Sequence, residues 1–152
     1  ASLPGAPSGH GEKAGEIFLY LGGEGATYRD ARAHISGDYP GAHLGRFVSG
    51  QDLNNDGTKE IYITDSGVVP GHKEGRVLRF EWTGDTLIST GELRGSGSGA
   101  MMGIGLSAIE GDTPGLLVTA PGHRPVHPDE PCRVLDGGGV FSVTTEDFIP
   151  RP

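Results

Sequence analysis

The sequence predicts an all-β fold made of a repeated multi-stranded unit, with one complete copy between two incomplete ones. The chain has 28 glycines in 152 residues, well above the usual share of about 7%. They are spread through short β-like segments, which is typical of many tight turns and bulges. Similar segments recur about sixty residues apart, and a turn with oxygen-bearing side chains at alternate positions precedes an apolar strand.

Three elements of the sequence recur in the same order. The strand-like segments 15–20, 75–80 and 138–143 begin alike and start 60 and 63 residues apart. A second element occurs at 41–45 and 99–103, and a third at 61–67 and 116–122. A repeated unit of several short strands with turn glycines is typical of a β-propeller blade. The sequence therefore predicts a partial β-propeller.

The repeat sets the expected boundaries in chain order. Residues 1–14 are expected to form an extended segment, and 15–152 a single β domain. Its parts are a partial blade at 15–40 (strands near 15–21 and 26–35), a full blade at 41–98 (strands near 44–50, 60–65, 75–82 and 86–92), and a degenerate three-stranded blade at 99–148. A propeller needs about four blades, so both ends are expected to present unfinished sheets.

The turn before the apolar strand of the full blade predicts a calcium site. Alternation lets side chains point inward from a curling backbone, and hard oxygens are the ligands that Ca²⁺ prefers. The predicted ligands are Asp52, Asn54, Asp56, the Thr58 main-chain carbonyl and Glu60. An EF-hand is rejected because the twelfth position counted from Asp52 is Ile63, in a β-like run, and not Glu.

The corresponding turn of the degenerate blade predicts no second ion. Residues 110–115 form a turn that is three residues shorter, and it supplies only Glu110 and Asp112 as carboxylates. We therefore expect one calcium ion per chain.

The repeat resembles the FG-GAP repeats of the integrin alpha-subunit propeller and related bacterial surface proteins. Leu44-Gly45 and Met102-Gly103 stand where that family has Phe-Gly, and Thr119-Ala120-Pro121 is similar to its Gly-Ala-Pro. The segment 52–60 falls on the family's calcium loop, whose last ligand is usually Asp, so Glu60 is a departure. The resemblance implies blades of a seven-bladed propeller used for adhesion or ligand display.

Composition and motifs argue against several functions. With 12 basic and 20 acidic side chains and a net charge of −8, nucleic acid and anionic membrane surfaces are not expected partners. No apolar run approaches the roughly 18 residues of a membrane span. No serine lies in a G-x-S-x-G elbow and no catalytic constellation stands out, so we expect no enzyme.

Two further sites stay open as alternatives. The loop 122–137 could hold a transition metal, although its prolines favour a rigid polar loop; the candidate ligands are His123, His127, Asp129 and Cys132. Tyr28 and Tyr39 could form a sugar-binding platform.

The expected function follows from the unfinished sheets, because the unpaired main-chain N–H and C=O groups at their edges can pair with a strand of another chain. A chain that opens Ala1-Ser2-Leu3-Pro4 without Met is typical of a processed, exported protein or a cut fragment. We expect an extracellular, calcium-stabilised structural or adhesive protein that forms a homo-oligomer or homopolymer, such as a filament. The alternatives are a module cut from a larger propeller that binds a cell-surface protein or a glycan, and an accessory domain of a hydrolase.

Overall fold

The computed structural model describes residues 1–4, 6–7, 11–23, 29–67, 74–96, 99–111, 113–122 and 139–151. The prediction of an all-β fold is confirmed, since the described residues form three antiparallel sheets, none of them closed. The strands are β1 (Ser2–Leu3), β2 (Glu16–Leu19), β3 (Ala33–Ser36), β4 (Val48–Gln51), β5 (Glu60–Asp65), β6 (Arg76–Trp82), β7 (Leu87–Arg94), β8 (Gly105–Ile109), β9 (Gly115–Ala120) and β10 (Gly139–Val143). Within these ranges, no helix is long and apolar enough to cross a membrane.

The central sheet contains the four strands expected of the complete unit, in the order β4-β5-β6-β7. Each strand pairs antiparallel with the next strand along the chain. The pairing of β6 with β7 shifts register between Arg79 and Phe80, which marks a bulge.

The two outer sheets each have three strands. The C-terminal sheet has the order β10-β9-β8, and these are the three strands expected there. The N-terminal sheet has the order β1-β2-β3, and β1 lies in the segment 1–14 that was expected only to be extended. Its two residues are too short for a periodic signal, and pairing with β2 is what orders them.

The strand pairing repeats from sheet to sheet, which gives the repeat a structural basis. The pairs Ser2↔Ile17, Thr64↔Val77 and Thr119↔Val140 join the corresponding two strands of the three sheets. The second residue of each pair lies two positions after the glycine that begins its segment, at position 15, 75 or 138. The three sheets therefore share a repeated strand pairing, while their assignment as propeller blades stays a prediction.

The connections between sheets repeat as well. The Leu44 N–H donates to the Ala14 carbonyl at 3.0 Å, and the Met102 N–H donates to the Glu74 carbonyl at 2.8 Å. These contacts leave no room for a side chain at Gly75, where a Cβ would lie 2.3 Å from the Met102 oxygen and φ is +65°. At Gly15 a Cβ would likewise lie 2.3 Å from the Leu44 oxygen, and φ is +86°, so glycine is needed at the start of both of these units.

The core lies on both faces of the central sheet. One cluster faces the N-terminal sheet and consists of Ile17, Leu44, Ile63, Leu78 and Phe80. The other faces the C-terminal sheet and includes Tyr62, Val77, Met102, Leu116, Val118, Ala120, Val143 and Phe148. Alternate residues of β5 and β6 therefore serve opposite cores, because successive side chains of a strand point to opposite faces.

Candidate metal centre

The predicted calcium loop connects β4 to β5, and its two ends are fixed by strand pairing. Gln51 and Glu60 form the last pair of the β4–β5 ladder. Between them the chain turns through Asn55 at φ +62° and Gly57 at φ +87°, a conformation that Gly and Asn adopt more readily than other residues. The last predicted ligand thus stands on the central sheet, and the others stand in the turn.

Main-chain N–H groups inside the turn hold the predicted ligand side chains. Asp52 accepts hydrogen bonds from the Asp56 N–H at 3.1 Å and from the Gly57 N–H at 2.8 Å. Asn54 Oδ1 accepts from the same Asp56 N–H at 3.0 Å, and its amide donates to Asp56 Oδ2 at 2.9 Å. Asp56 Oδ1 in turn accepts from the Thr58 N–H at 2.8 Å. The loop is organised by its own backbone.

Three carboxylates converge at this loop. Ligand oxygens of Asp52, Asp56 and Glu60 all lie within 4.8 Å of one another. Two oxygens on opposite sides of one calcium ion are about 4.6–5.2 Å apart, since each lies about 2.3–2.6 Å from the ion. The spacing of the three carboxylates is therefore compatible with their binding of one calcium ion. Asn54 and Thr58 adjoin it through their bonds to Asp56.

Hydrogen bonds within the turn favour the ionised form of Asp56. The Thr58 N–H, followed by the Asn54 amide, lowers the pKa of the exposed Asp56 carboxyl below its ordinary value. Hydrogen bonds donated to a carboxylate stabilise its charged form. Three carboxylates whose oxygens lie within 4.8 Å of one another repel one another when ionised, and a divalent cation would relieve that repulsion.

Sequence reasoning missed Tyr62, which anchors the deepest ligand. Glu60 is buried, and its Oε2 accepts hydrogen bonds from the Leu53 N–H at 3.0 Å and from the Tyr62 hydroxyl at 2.9 Å. Burial, followed by the bond to Glu60, raises the pKa of Tyr62 and keeps its hydroxyl a donor. The signal was present, because position 62 continues the alternation of 52, 54, 56, 58 and 60.

A second charged group, centred on Arg76, also escaped sequence reasoning. The Arg76 side chain is 9% exposed, and its guanidinium donates to Asp65 at 2.7 Å, pairs with Asp38 and lies 3.6 Å from Glu92. Burial would lower the pKa of Arg76, but the neighbouring Asp65 and Asp38 charges raise it. The cluster borders a cavity of about 240 Å³. Asp65, Glu92 and Asp38 are 11, 16 and 38 residues away from Arg76 in the sequence. No local sequence pattern therefore indicates these partners.

The structure provides little support for the remaining predicted sites. Outside the described residues lie Tyr28, Asp112 and the candidate transition-metal ligands His123, His127, Asp129 and Cys132. Tyr39 is partly buried, and its hydroxyl donates to Asp65 at 2.6 Å, so its polar end is already bound within the protein. The sugar platform has no support from Tyr39.

The geometry of the chain brings together three of the five predicted ligands, which form the carboxylate triad of Asp52, Asp56 and Glu60. The other two, Asn54 and Thr58, are bonded to the triad through Asp56. No protein-family model matches the chain, and a comparison with curated proteins finds no match.

Proposed function

We propose that this chain is a calcium-stabilised structural or adhesive protein that works outside the cell and assembles with copies of itself. The observation that carries the proposal is the carboxylate triad at 52–60, organised by N–H groups of its own turn. An ion bound there ties the turn to β5 through Glu60. Binding to the folded chain alone, at a hundred times the dissociation constant, would add about 2.7 kcal/mol to the free energy of unfolding.

Assembly is supported by the outward face of the C-terminal sheet. The equivalent residues Ile17, Val77 and Val140 occupy one position in the three sheets. Ile17 and Val77 are 5% and 0% exposed because each faces the next sheet, whereas Val140 is 59% exposed. Leu117, on the same outward face, is also exposed. This face carries the apolar residues of an interface, and we infer that another copy of the chain covers it.

The calcium part is tested by thermal unfolding with excess Ca²⁺ and with excess chelator. Calcium should raise the melting temperature of the parent chain, and Asp56→Ala should abolish that increase. Asp85→Ala is the matched control, because Asp85 is also an exposed aspartate in a turn of the central sheet. Identical melting curves in calcium and chelator would show that the triad does not bind the ion.

The assembly part is tested by sedimentation velocity over a range of protein concentrations. The parent chain should form larger species as concentration rises, and Val140→Lys should return it to monomer. Ile88→Lys is the control, since Ile88 is 48% exposed on another sheet. A parent chain that stays monomeric throughout would favour the ligand-binding module instead.

A further inference from the structure

The most deeply buried ligand of the candidate metal centre is Glu60, which is 3% exposed. Both of its hydrogen bonds, from the Leu53 N–H and the Tyr62 hydroxyl, are accepted by Oε2. Among the described residues, no group donates to Oε1 and no basic side chain forms an ion pair with Glu60. Burying a charge without a partner is costly. The environment of Glu60 therefore favours a bound cation, independently of the spacing of the three carboxylates.

The Tyr62 side chain connects Glu60 to a distant part of the chain. Tyr62 is fully buried, and its ring contacts the ring of Phe148, with centroids 5.3 Å apart and an interplanar angle of 50°. The Arg79 guanidinium lies 5.7 Å from the centroid of the same Phe148 ring. Close-packed interiors transmit strain. A displacement of the Glu60 carboxylate would therefore reach Phe148 through a single intervening side chain.

Phe148 belongs to the segment 144–151, which pairs with the outer edge of the central sheet. Ile149 and Glu92 of β7 exchange two main-chain hydrogen bonds, each of 2.9 Å. Arg151 Nε lies 3.5 Å from the Glu92 carboxylate. Phe148 is 5% exposed, so it is the buried anchor beside this bridge. The segment also covers main-chain groups of β7 that would otherwise be open to pairing with another chain.

The other end of the loop contacts the C-terminal sheet directly. Gln51, the last residue of β4, is 6% exposed, and its Nε2 donates to the Ile109 carbonyl of β8 at 2.7 Å. Leu53 packs against the core cluster that contains Tyr62 and Phe148. Both ends of the loop are therefore in contact with parts of the chain that follow β7.

We propose that calcium binding at the triad is coupled to docking of the segment 144–151 on the central sheet. The inference rests on the calcium site proposed above. Without an ion, the ionised carboxylates of the triad repel one another, and a shift of Glu60 weakens its bond to Tyr62 and the ring contact with Phe148. A bound ion relieves the repulsion and holds this arrangement. Because such coupling is reciprocal, docking of the segment raises the calcium affinity by the same factor.

The first experiment measures calcium affinity of the full chain by isothermal titration calorimetry. Phe148→Leu removes the ring that contacts Tyr62, and it should lower the affinity about fivefold or more. Phe80→Leu is the matched control, because Phe80 is also 5% exposed but packs in the cluster that faces the N-terminal sheet. Its strand partner Ile61 adjoins Glu60, so a general loosening of the core would affect this control as well. Phe80→Leu should leave the affinity unchanged.

A second pair of variants changes docking without changing the buried ring. Ile149→Pro removes the N–H that donates to the Glu92 carbonyl. The backbone of Phe148 is extended, with φ −87° and ψ 121°, as the residue before a proline requires. Ile149→Ala keeps the N–H and loses little packing, because Ile149 is 65% exposed. The proline should lower calcium affinity about fivefold or more, and the alanine should leave it unchanged.

Hydrogen exchange of the parent chain, resolved by NMR, gives a readout of the segment itself. Calcium should slow exchange of the Glu92 and Ile149 N–H groups about fivefold more than that of the Arg32 N–H. The Arg32 N–H donates to the Leu19 carbonyl at 2.8 Å in the N-terminal sheet, and its change measures general stabilisation. Equal changes at all three groups would overturn the coupling.

The outcomes separate this inference from the calcium site. Parent-like affinity in both Phe148→Leu and Ile149→Pro would overturn the coupling and leave the site intact. Equal losses in Phe148→Leu and Phe80→Leu, together with parent-like affinity in Ile149→Pro, would also overturn it. A parent chain that gives no calcium binding in the calorimeter would refute the site itself, and the coupling with it. Circular dichroism identifies any variant that fails to fold, and the Ile149 pair then decides the result.

Discussion

Replacing Asp65 by asparagine tests how strongly the buried charge cluster stabilises the fold. The Asp65 side chain is fully buried, and it accepts hydrogen bonds from Arg76 Nε at 2.7 Å and from the Tyr39 hydroxyl at 2.6 Å. Asparagine keeps the volume but removes the charge. The Arg76 side chain, which is 9% exposed, would then be buried without its deepest partner.

The expected cost follows from the partners that Arg76 keeps. Breaking a buried ion pair by removing one member costs about 3–5 kcal/mol. Arg76 still pairs with Asp38, which is 50% exposed, and lies 3.6 Å from Glu92, so we expect the lower end, about 3 kcal/mol. For a chain of this length, 1 kcal/mol shifts the melting temperature by about 2–4 °C. Asp65→Asn should therefore lower it by about 6–12 °C.

The assay is thermal unfolding followed by circular dichroism, with Asp38→Asn as the control. Asp38 forms an ion pair with the same guanidinium, but it is half-exposed. An ion pair at such a position contributes about 1 kcal/mol or less to the free energy of unfolding. Replacement of Asp38 should lower the melting temperature by only a few degrees. If Asp65→Asn costs no more than Asp38→Asn, the buried pair does not stabilise the fold and the reasoning fails.

Three further predictions concern the metal loop and the glycine contacts. Tyr62→Phe removes the hydrogen bond that orients Glu60, so calcium affinity measured by calorimetry should fall about 10- to 100-fold while the chain stays folded; unchanged affinity would contradict that role. The pKa of Asp56 is lowered in the folded chain, so folding favours its charged form. The contribution of Asp56 to stability is therefore complete above its ordinary pKa of 3.8 and is lost as the pH falls through the lower pKa of the folded state. The calcium-dependent rise in melting temperature should thus be constant above about pH 5 and shrink below about pH 4; a decline between about pH 7 and pH 6 would point to another group. Gly67→Ala should destabilise strongly, because its Cβ would lie 2.0 Å from a carbonyl oxygen, whereas Gly22→Ala meets nothing within 4 Å; equal melting temperatures would refute the contact.

The sequence predicted the strands and the turn well because both are local. The four strands of the central sheet and the three of the C-terminal sheet follow from the sixty-residue repeat of glycine-led segments and from the turn residues between them. The Asp52, Asp56 and Glu60 triad follows from alternate spacing around Gly57. In each case the partners are neighbours in the chain, so spacing determines geometry.

Long-range contacts could not be predicted in the same way. The strand β1 has two residues and no periodicity, although Ala6-Pro7 in the following segment is similar to Ala120-Pro121 at the end of β9. The Asp38 and Arg76 pair joins residues 38 positions apart. Only packing of the N-terminal sheet on the central sheet brings these charges together.

Residue type alone does not decide which face of a sheet is covered. Val77 and Val140 are the same residue in the same register position, paired with Thr64 and Thr119, yet they are 0% and 59% exposed. Burying an exposed valine gains about 1.5 kcal/mol or more, and the N-terminal and central sheets both obtain this gain by packing against a following sheet. The outward face of the C-terminal sheet retains the apolar residues of such an interface. A partner that supplies the next sheet would bury Val140 as Val77 is buried, and for this reason Val140 is the position at which self-assembly is most directly tested.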